Sequence, residues 1–185
     1  ALEPFMVRIM DFYNKNVGNY PYKQYSFSQG GDGGMEYAMC TLMLGNGTVE
    51  GMLETATHEL AHSWFQHILA SNESKHPWMD EGFATYIETL ALNEISKDKK
   101  DNPFADVYNT YNVLANSGKE QPQSTHGDHY DENRSYSIAS YYKGCLFLTR
   151  PSLFAYIAER RDLDAAAREL FAVMKSRKVK VRIGQ

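Results

Sequence analysis

Residues 58–62 read His-Glu-Leu-Ala-His, and this stretch decides how the rest of the chain is interpreted. The apolar residues around it predict a helix over about residues 49–70, with Thr48 as its N-cap. Side chains four positions apart in a helix lie on one face, one turn above the other. The imidazoles of His58 and His62 can therefore reach one metal ion at about 2.0–2.1 Å. Glu59 would lie beside them without binding the metal.

A third metal ligand is expected downstream, because a catalytic zinc site uses three protein ligands and leaves one position open. Residues 78–82, Trp-Met-Asp-Glu-Gly, offer Glu81, and eighteen residues separate it from His62. That interval can hold the end of the first helix, a loop and the start of a second helix. We expect this second helix over about residues 81–96, with Asp80 as its cap. Two imidazole ligands favour zinc over calcium or magnesium, so the sequence predicts one zinc ion per chain.

The pattern outside these two stretches predicts a small β element near the N-terminus followed mostly by helices, which is an α+β fold. The glycine-rich residues 30–34 separate two strand candidates. Apolar periodicity predicts strands over residues 24–28 and 35–44, and helices over residues 2–17, 104–115, 135–149 and about 162–175. A long polar loop is expected over residues 116–133.

Length, net charge and apolar runs indicate the domain organisation and exclude some kinds of partner. We assign residues 1–150 to one domain, and residues 151–185 to a helical extension with a basic tail. That extension belongs to the same domain or to a truncated neighbouring one. The net charge of −4 argues against nucleic acid as the main partner. No apolar run reaches the roughly 20 residues that a transmembrane helix needs, so membrane insertion is not expected.

Three further motifs, in order along the chain, resemble the M1 family of zinc aminopeptidases, which are gluzincin metallopeptidases. Residues 33–37, Gly-Gly-Met-Glu-Tyr, resemble the family's G-x-M-E-N exopeptidase motif. Residues 78–82 resemble its W-L-N-E-G, and residues 141–144, Tyr-Tyr-Lys-Gly, resemble its Y-x-K-G. Two departures stand out: Tyr37 replaces the usual Asn, and residues 63–66 read Ser-Trp-Phe-Gln where Gln-Trp-Phe-Gly is more familiar. The resemblance extends from about residue 5 to residue 149.

The resemblance implies a role for each motif. It makes residues 1–150 a thermolysin-like metallopeptidase catalytic domain, with Glu59 as the general base. It assigns Tyr141 to the oxyanion of the tetrahedral intermediate, with the neighbouring Tyr142 as the alternative. The exopeptidase motif supplies the substrate-binding residues, which are Gly33, Gly34, Met35 and Glu36. Glu36 would bind the free α-ammonium group of the substrate. Without the family, Glu36 would be an exposed residue in a glycine-rich hairpin turn.

The second predicted helix contains a residue that could orient one of the metal-binding histidines. Glu88 follows Glu81 by seven positions, which places both on the same helix face. A metal-bound histidine commonly donates its other N–H group to a carboxylate. Glu88 could orient His58 or His62 in this way, or it could be a surface residue.

The predicted function is removal of N-terminal residues from peptides that have a free N-terminus. Two alternatives remain: an endopeptidase with the same zinc centre, and a folded catalytic fragment that is inactive without flanking domains. The M1 resemblance implies such domains in a larger parent chain. The glycine-rich residues 30–34 look more like bacterial members, which are often exported. We therefore expect a location in the bacterial periplasm or cell envelope.

Overall fold

The computed structural model describes residues 2–31 and 33–149, and the predicted extension over residues 151–185 lies outside these ranges. The helices are α1 (Glu3–Asn16), α2 (Val49–His62), α3 (Pro77–Ile95), α4 (Ala105–Ala115), α5 (Asn133–Ser137) and α6 (Gly144–Leu148). The strands are β1 (Ser26–Gln29), β2 (Met35–Tyr37) and β3 (Cys40–Met43). The predicted α+β class, a small β element followed mostly by helices, is confirmed. None of the described helices is both long and apolar enough to cross a membrane.

The three strands form one sheet in the order β1-β3-β2. Strand β3 runs parallel to β1 and antiparallel to β2, with Met35 opposite Leu42 and Tyr37 opposite Cys40. The prediction of one strand over residues 35–44 is therefore wrong. The chain reverses at Ala38 and Met39, where Met39 has a φ of 58°. Neither residue carries a turn signal that the sequence pattern could have shown.

Helix α2 begins where the sequence predicts. The side chain of Thr48 accepts a hydrogen bond from the backbone N–H of Gly51 at 3.1 Å. The helix continues after His62 as a π-helical segment, Ser63–Ile68. A second π-helical segment, Ile138–Lys143, joins α5 to α6 within the predicted helix over residues 135–149. Insertions of this kind are frequent at functional sites.

Helix α3 starts four residues earlier than predicted. Pro77 occupies the first turn, and His76 is the N-cap residue. Proline suits this position because its missing N–H group would have no partner within the helix. The prediction that Asp80 caps the helix is wrong. Asp80 is instead a helix residue with 2% of its surface exposed.

Aromatic residues connect the sheet and α1 to α2. Tyr13 and Trp64 are fully buried and pack edge to face, with ring centroids 5.4 Å apart. The Tyr13 hydroxyl donates to the Thr57 carbonyl at 2.9 Å. On the sheet side, the Tyr25 hydroxyl donates to the Glu59 carbonyl at 3.3 Å and lies 2.7 Å from the hydroxyl of Thr41. Helix α2 is thus held along the length that carries residues 58–62.

Two glycines let α3 and α6 come into backbone contact. A Cβ atom added at Gly82 would lie 2.7 Å from both the Cα and the carbonyl carbon of Gly144. Real Cβ atoms do not approach other atoms this closely, so only glycine fits the crossing. Gly82 follows Glu81, and Gly144 comes three residues after Tyr141. The crossing therefore brings the motifs at residues 78–82 and 141–144 together.

Candidate metal centre and active site

Three atoms that can bind a metal converge between α2 and α3. The Nε2 atoms of His58 and His62 lie 3.1 Å apart. Glu81 Oε2 lies 3.1 Å from His58 Nε2 and 3.4 Å from His62 Nε2. Ligands at about 2.0–2.1 Å around a tetrahedral ion are about 3.3 Å from one another. The observed triangle therefore has the dimensions of one face of a tetrahedral zinc site.

The other nitrogen of each histidine is held by a carboxylate. His58 Nδ1 donates to Glu88 Oε2 at 2.9 Å, and His62 Nδ1 donates to Asp80 Oδ1 at 2.5 Å. With the proton on Nδ1, each neutral ring presents an electron pair at Nε2. The two nitrogens and the Glu81 oxygen are then three electron-pair donors that repel one another unless a cation lies between them. The donor set fits a zinc ion, since two imidazoles and a carboxylate are typical ligands.

Without a metal ion, protons would supply the positive charge between the two Nε2 atoms and the Glu81 oxygen. Burial acts to lower the pKa of His58, but the hydrogen bonds to Glu81 and Glu88 outweigh it and raise the pKa to about 9. Burial acts to raise the pKa of Glu81, yet the hydrogen bonds from His58 and His62 lower it to about 2. A metal ion would displace these protons on binding.

Glu59 lies beside the ligand set on α2, with 8% of its surface exposed. Burial, reinforced by the nearby carboxylates of Glu36 and Glu81, raises the pKa of Glu59 to about 7, although the two histidines act in the opposite direction. A carboxyl group with this pKa can both accept and donate a proton near neutral pH. Gly34 makes room for it, because a Cβ atom there would lie 2.6 Å from Glu59 Oε1.

Strand β2 directs Glu36 to the same place. A carboxylate oxygen of Glu36, a carboxylate oxygen of Glu59 and a ring nitrogen of His62 lie within 4.8 Å of one another. Burial raises the pKa of Glu36, partly offset by His62. Gly34, Met35 and Glu36 all line the cleft in front of the ligand set. Gly33 is not among the lining residues, and a Cβ atom there would meet nothing within 4 Å.

Tyr141 closes the other side of the ligand set. Its ring stacks on His58 at a centroid distance of 5.5 Å, and its hydroxyl donates to Glu81 Oε1 at 2.8 Å. Burial raises the pKa of Tyr141, and the charge of Glu81 adds to the effect, so the hydroxyl keeps its proton. The alternative, Tyr142, packs among apolar side chains and does not line the cleft. The structure thus brings Tyr141, and not Tyr142, to the candidate centre.

The structure places Glu88 against His58, which is one of the two positions expected from its spacing. It also reveals Asp80 as the partner of His62, which the sequence argument missed. The available signal was Pro77, because a helix that starts at a proline makes Asp80 an interior residue and not a cap.

The cleft in front of these residues has a volume of about 440 Å³. The carboxylates of Glu36, Glu59, Glu73, Asp80, Glu81 and Asp128 line it, and no Lys or Arg does among the described residues. Part of its wall comes from the polar loop after α4, where the Gly127 N–H donates to the Ser74 carbonyl at 2.8 Å. The loop is therefore fixed to the segment between α2 and α3.

Comparison with known proteins shows sequence similarity to aminopeptidases. The chain is 26% identical over 160 residues to leucine aminopeptidase 2 of Chaetomium globosum, covering 80% of this chain and 26% of that protein. It is 26% identical over 132 residues to aminopeptidase M1 of Arabidopsis thaliana, covering 64% of this chain and 15% of that protein. The chain thus spans about a quarter or less of the length of these two relatives.

Solved structures show the same fold. The M1 zinc metallopeptidase of Deinococcus radiodurans is similar with a TM-score of 0.66 at 23% identity, over 94% of this chain and 40% of that one. The family model for the peptidase family M1 domain matches residues 6–180, which is most of the chain. This protein therefore belongs to peptidase family M1.

Proposed function

We propose that this chain is the catalytic part of a zinc-dependent aminopeptidase, which removes N-terminal residues from peptides. The observation that carries the proposal is the position of Glu36, whose carboxylate lies within 4.8 Å of both the Glu59 carboxylate and the His62 ring. Membership of family M1 and the aminopeptidase names of the relatives support it.

Bond lengths explain why this position favours an aminopeptidase. In an amino acid residue, the nitrogen and the carbonyl carbon are two bonds apart, or about 2.5 Å. A carbonyl group at the candidate metal centre, beside Glu59, therefore has its own residue's nitrogen close to Glu36. If that nitrogen is a free ammonium group, the Glu36 carboxylate binds it by a charge-assisted hydrogen bond. A substrate that continued beyond this nitrogen would collide with the Glu36 carboxylate.

His58, His62 and Glu81 are the residues that would hold the zinc ion. A zinc ion bound there supplies Lewis acidity, which polarises the substrate carbonyl and acidifies water. Asp80 and Glu88 keep the histidine rings oriented with Nε2 facing the centre. Glu59 accepts a proton from the attacking water and passes it to the leaving amine.

Tyr141 is the proposed donor to the oxyanion. Its hydroxyl keeps its proton and donates a hydrogen bond to Glu81 Oε1 at 2.8 Å. When negative charge develops on the substrate oxygen, that oxygen becomes a stronger acceptor than Glu81 Oε1. The Tyr141 hydroxyl then donates its hydrogen bond to the substrate oxygen instead.

The test compares a peptide that has a free N-terminus with the same peptide N-acetylated. An aminopeptidase cleaves the first and leaves the second intact, because acetylation removes the charge that Glu36 recognises. Equal cleavage of both peptides would instead identify an endopeptidase with the same centre. Glu36→Gln should raise the KM for the free peptide, and an unchanged KM would refute the role of Glu36.

Three further parts of the proposal concern the parent protein. The architecture would be that of a thermolysin-like catalytic domain, supported by the small sheet that packs against α2, one of the two helices that carry the ligands. Flanking domains would complete the cleft, since the relatives are much longer chains. The glycine-rich residues 30–34, which resemble bacterial members, support a location in the cell envelope.

A further inference from the structure

Beyond the residues assigned above, Glu73 lies in the cleft next to Glu36. Carboxylate oxygens of Glu36, Glu73 and Asp80 lie within 4.8 Å of one another. Asp80 is committed to His62, to which one of its oxygens is hydrogen-bonded. Glu36 and Glu73 are then two carboxylates side by side, and no Lys or Arg of the described chain lines the cleft to balance them.

The segment that carries Glu73 is held in place. The side-chain amide of Gln66, in the π-helical segment after His62, donates to Glu73 Oε2. Asn72 closes the following turn, with its side chain accepting from the Lys75 N–H at 2.9 Å and its carbonyl accepting from the His76 N–H at 2.8 Å. Gln66 stands at one of the positions where this sequence departs from the M1 pattern. The departure thus supplies the group that orients Glu73.

The two carboxylates are close enough to contact a single ammonium group. An ammonium nitrogen donates hydrogen bonds of about 2.8 Å along tetrahedral directions. Two acceptors that share one such nitrogen are therefore about 4.6 Å apart. The Glu36 and Glu73 oxygens lie within 4.8 Å of each other, so one ammonium group can contact both.

We propose that Glu73 is a specificity-determining residue that binds the substrate α-ammonium group together with Glu36, and that Gln66 positions it. This rests on the proposed aminopeptidase function. Because a second carboxylate contacts the same charge, the site discriminates between an amine and a neutral group more strongly than Glu36 alone could. Binding to Glu73 fixes the N-terminus but involves no reacting atom, so its removal should act on KM and leave kcat nearly unchanged.

The test measures direct binding of two ligands to the zinc-loaded protein by calorimetry. Phenylalaninamide carries the α-ammonium group, and 3-phenylpropionamide is the same molecule without it. We expect wild type to prefer the amine, and Glu73→Gln to reduce this preference about tenfold or more, as for loss of a hydrogen bond between charged groups. The exposed Glu50, at the start of α2 and outside the cleft, gives the control Glu50→Gln, which should keep the full preference.

A double variant adds a second criterion. Glu36→Gln and Glu73→Gln together should reduce the preference by less than the product of their separate effects, because both residues contact one nitrogen. An unchanged preference in Glu73→Gln would overturn the role of Glu73 while leaving the aminopeptidase proposal intact. Wild type without any preference for the amine would overturn both proposals, starting with the aminopeptidase function. A second zinc ion per chain that is lost in Glu73→Gln would make Glu73 a metal ligand and overturn its role here.

Discussion

The contact between Gly82 and Gly144 gives the sharpest test of how the fold builds the site. In Gly82→Ala the new Cβ atom would lie 2.7 Å from the Gly144 Cα and carbonyl carbon and 3.1 Å from the Cys145 nitrogen. All three are backbone atoms, so no side chain can rotate away. Ordinary contact distances of about 3.5–4.0 Å require α3 and α6 to separate by roughly 1 Å.

Two consequences follow from this separation. Overpacking of this kind costs about 1–3 kcal/mol of unfolding free energy, which lowers the Tm of a chain of this size by roughly 2–12 °C. The same shift moves Tyr141 away from Glu81, because Gly82 follows Glu81 directly. We therefore expect Gly82→Ala to be less stable and less active.

Thermal and chemical unfolding followed by circular dichroism, together with peptide turnover, would measure both effects. Gly33→Ala is the matched control, since a Cβ atom there meets nothing within 4 Å. It should unfold close to wild type. If Gly82→Ala proved as stable as Gly33→Ala, the close crossing of α3 and α6 would be refuted.

Three other predictions concern the chemistry of the site. Glu59→Gln should keep zinc and lose at least 100-fold in turnover, because the variant cannot accept the proton of water; substantial activity in the zinc-loaded variant would contradict the assignment. Asp80→Asn and Glu88→Gln should each weaken zinc affinity about 10- to 100-fold by releasing a histidine ring, as measured by competition with a chelator, and wild-type affinity in both would remove their orienting role. Tyr141→Phe should lower kcat by about 100-fold or more with little change in zinc content, whereas Tyr142→Phe should not; equal effects would disprove the choice between the two tyrosines.

The parts of the site that were predictable depend on short-range periodicity. His58 and His62 are one helical turn apart, so the helix alone brings their rings together. Glu88 was predictable for the same reason, since two turns separate it from Glu81. The sequence did not decide which histidine Glu88 contacts, because that depends on how α2 and α3 pack.

The predictions were wrong where the sequence carries no local signal for a turn, or where the signal for a helix start lies at a different residue. Ala38 and Met39 form a hairpin turn without the residues that favour one, so β2 and β3 looked like a single strand. The second helix was predicted to start at about residue 81 although Pro77 starts α3, and this hid Asp80 as the partner of His62. The crossing at Gly82 and Gly144 joins helices far apart in sequence, and no local pattern reveals such a pairing. The same holds for Glu73, which reaches Glu36 only through the folded segment after Gln66.

Metal content shows whether His58, His62 and Glu81 hold one zinc ion. The protein would be equilibrated with zinc, desalted and analysed for metal beside Glu81→Ala, with circular dichroism to verify that both are folded. We expect a ratio near one zinc per chain in wild type and a large loss in Glu81→Ala. A folded wild type with a ratio near zero, or the same ratio in both proteins, would contradict it.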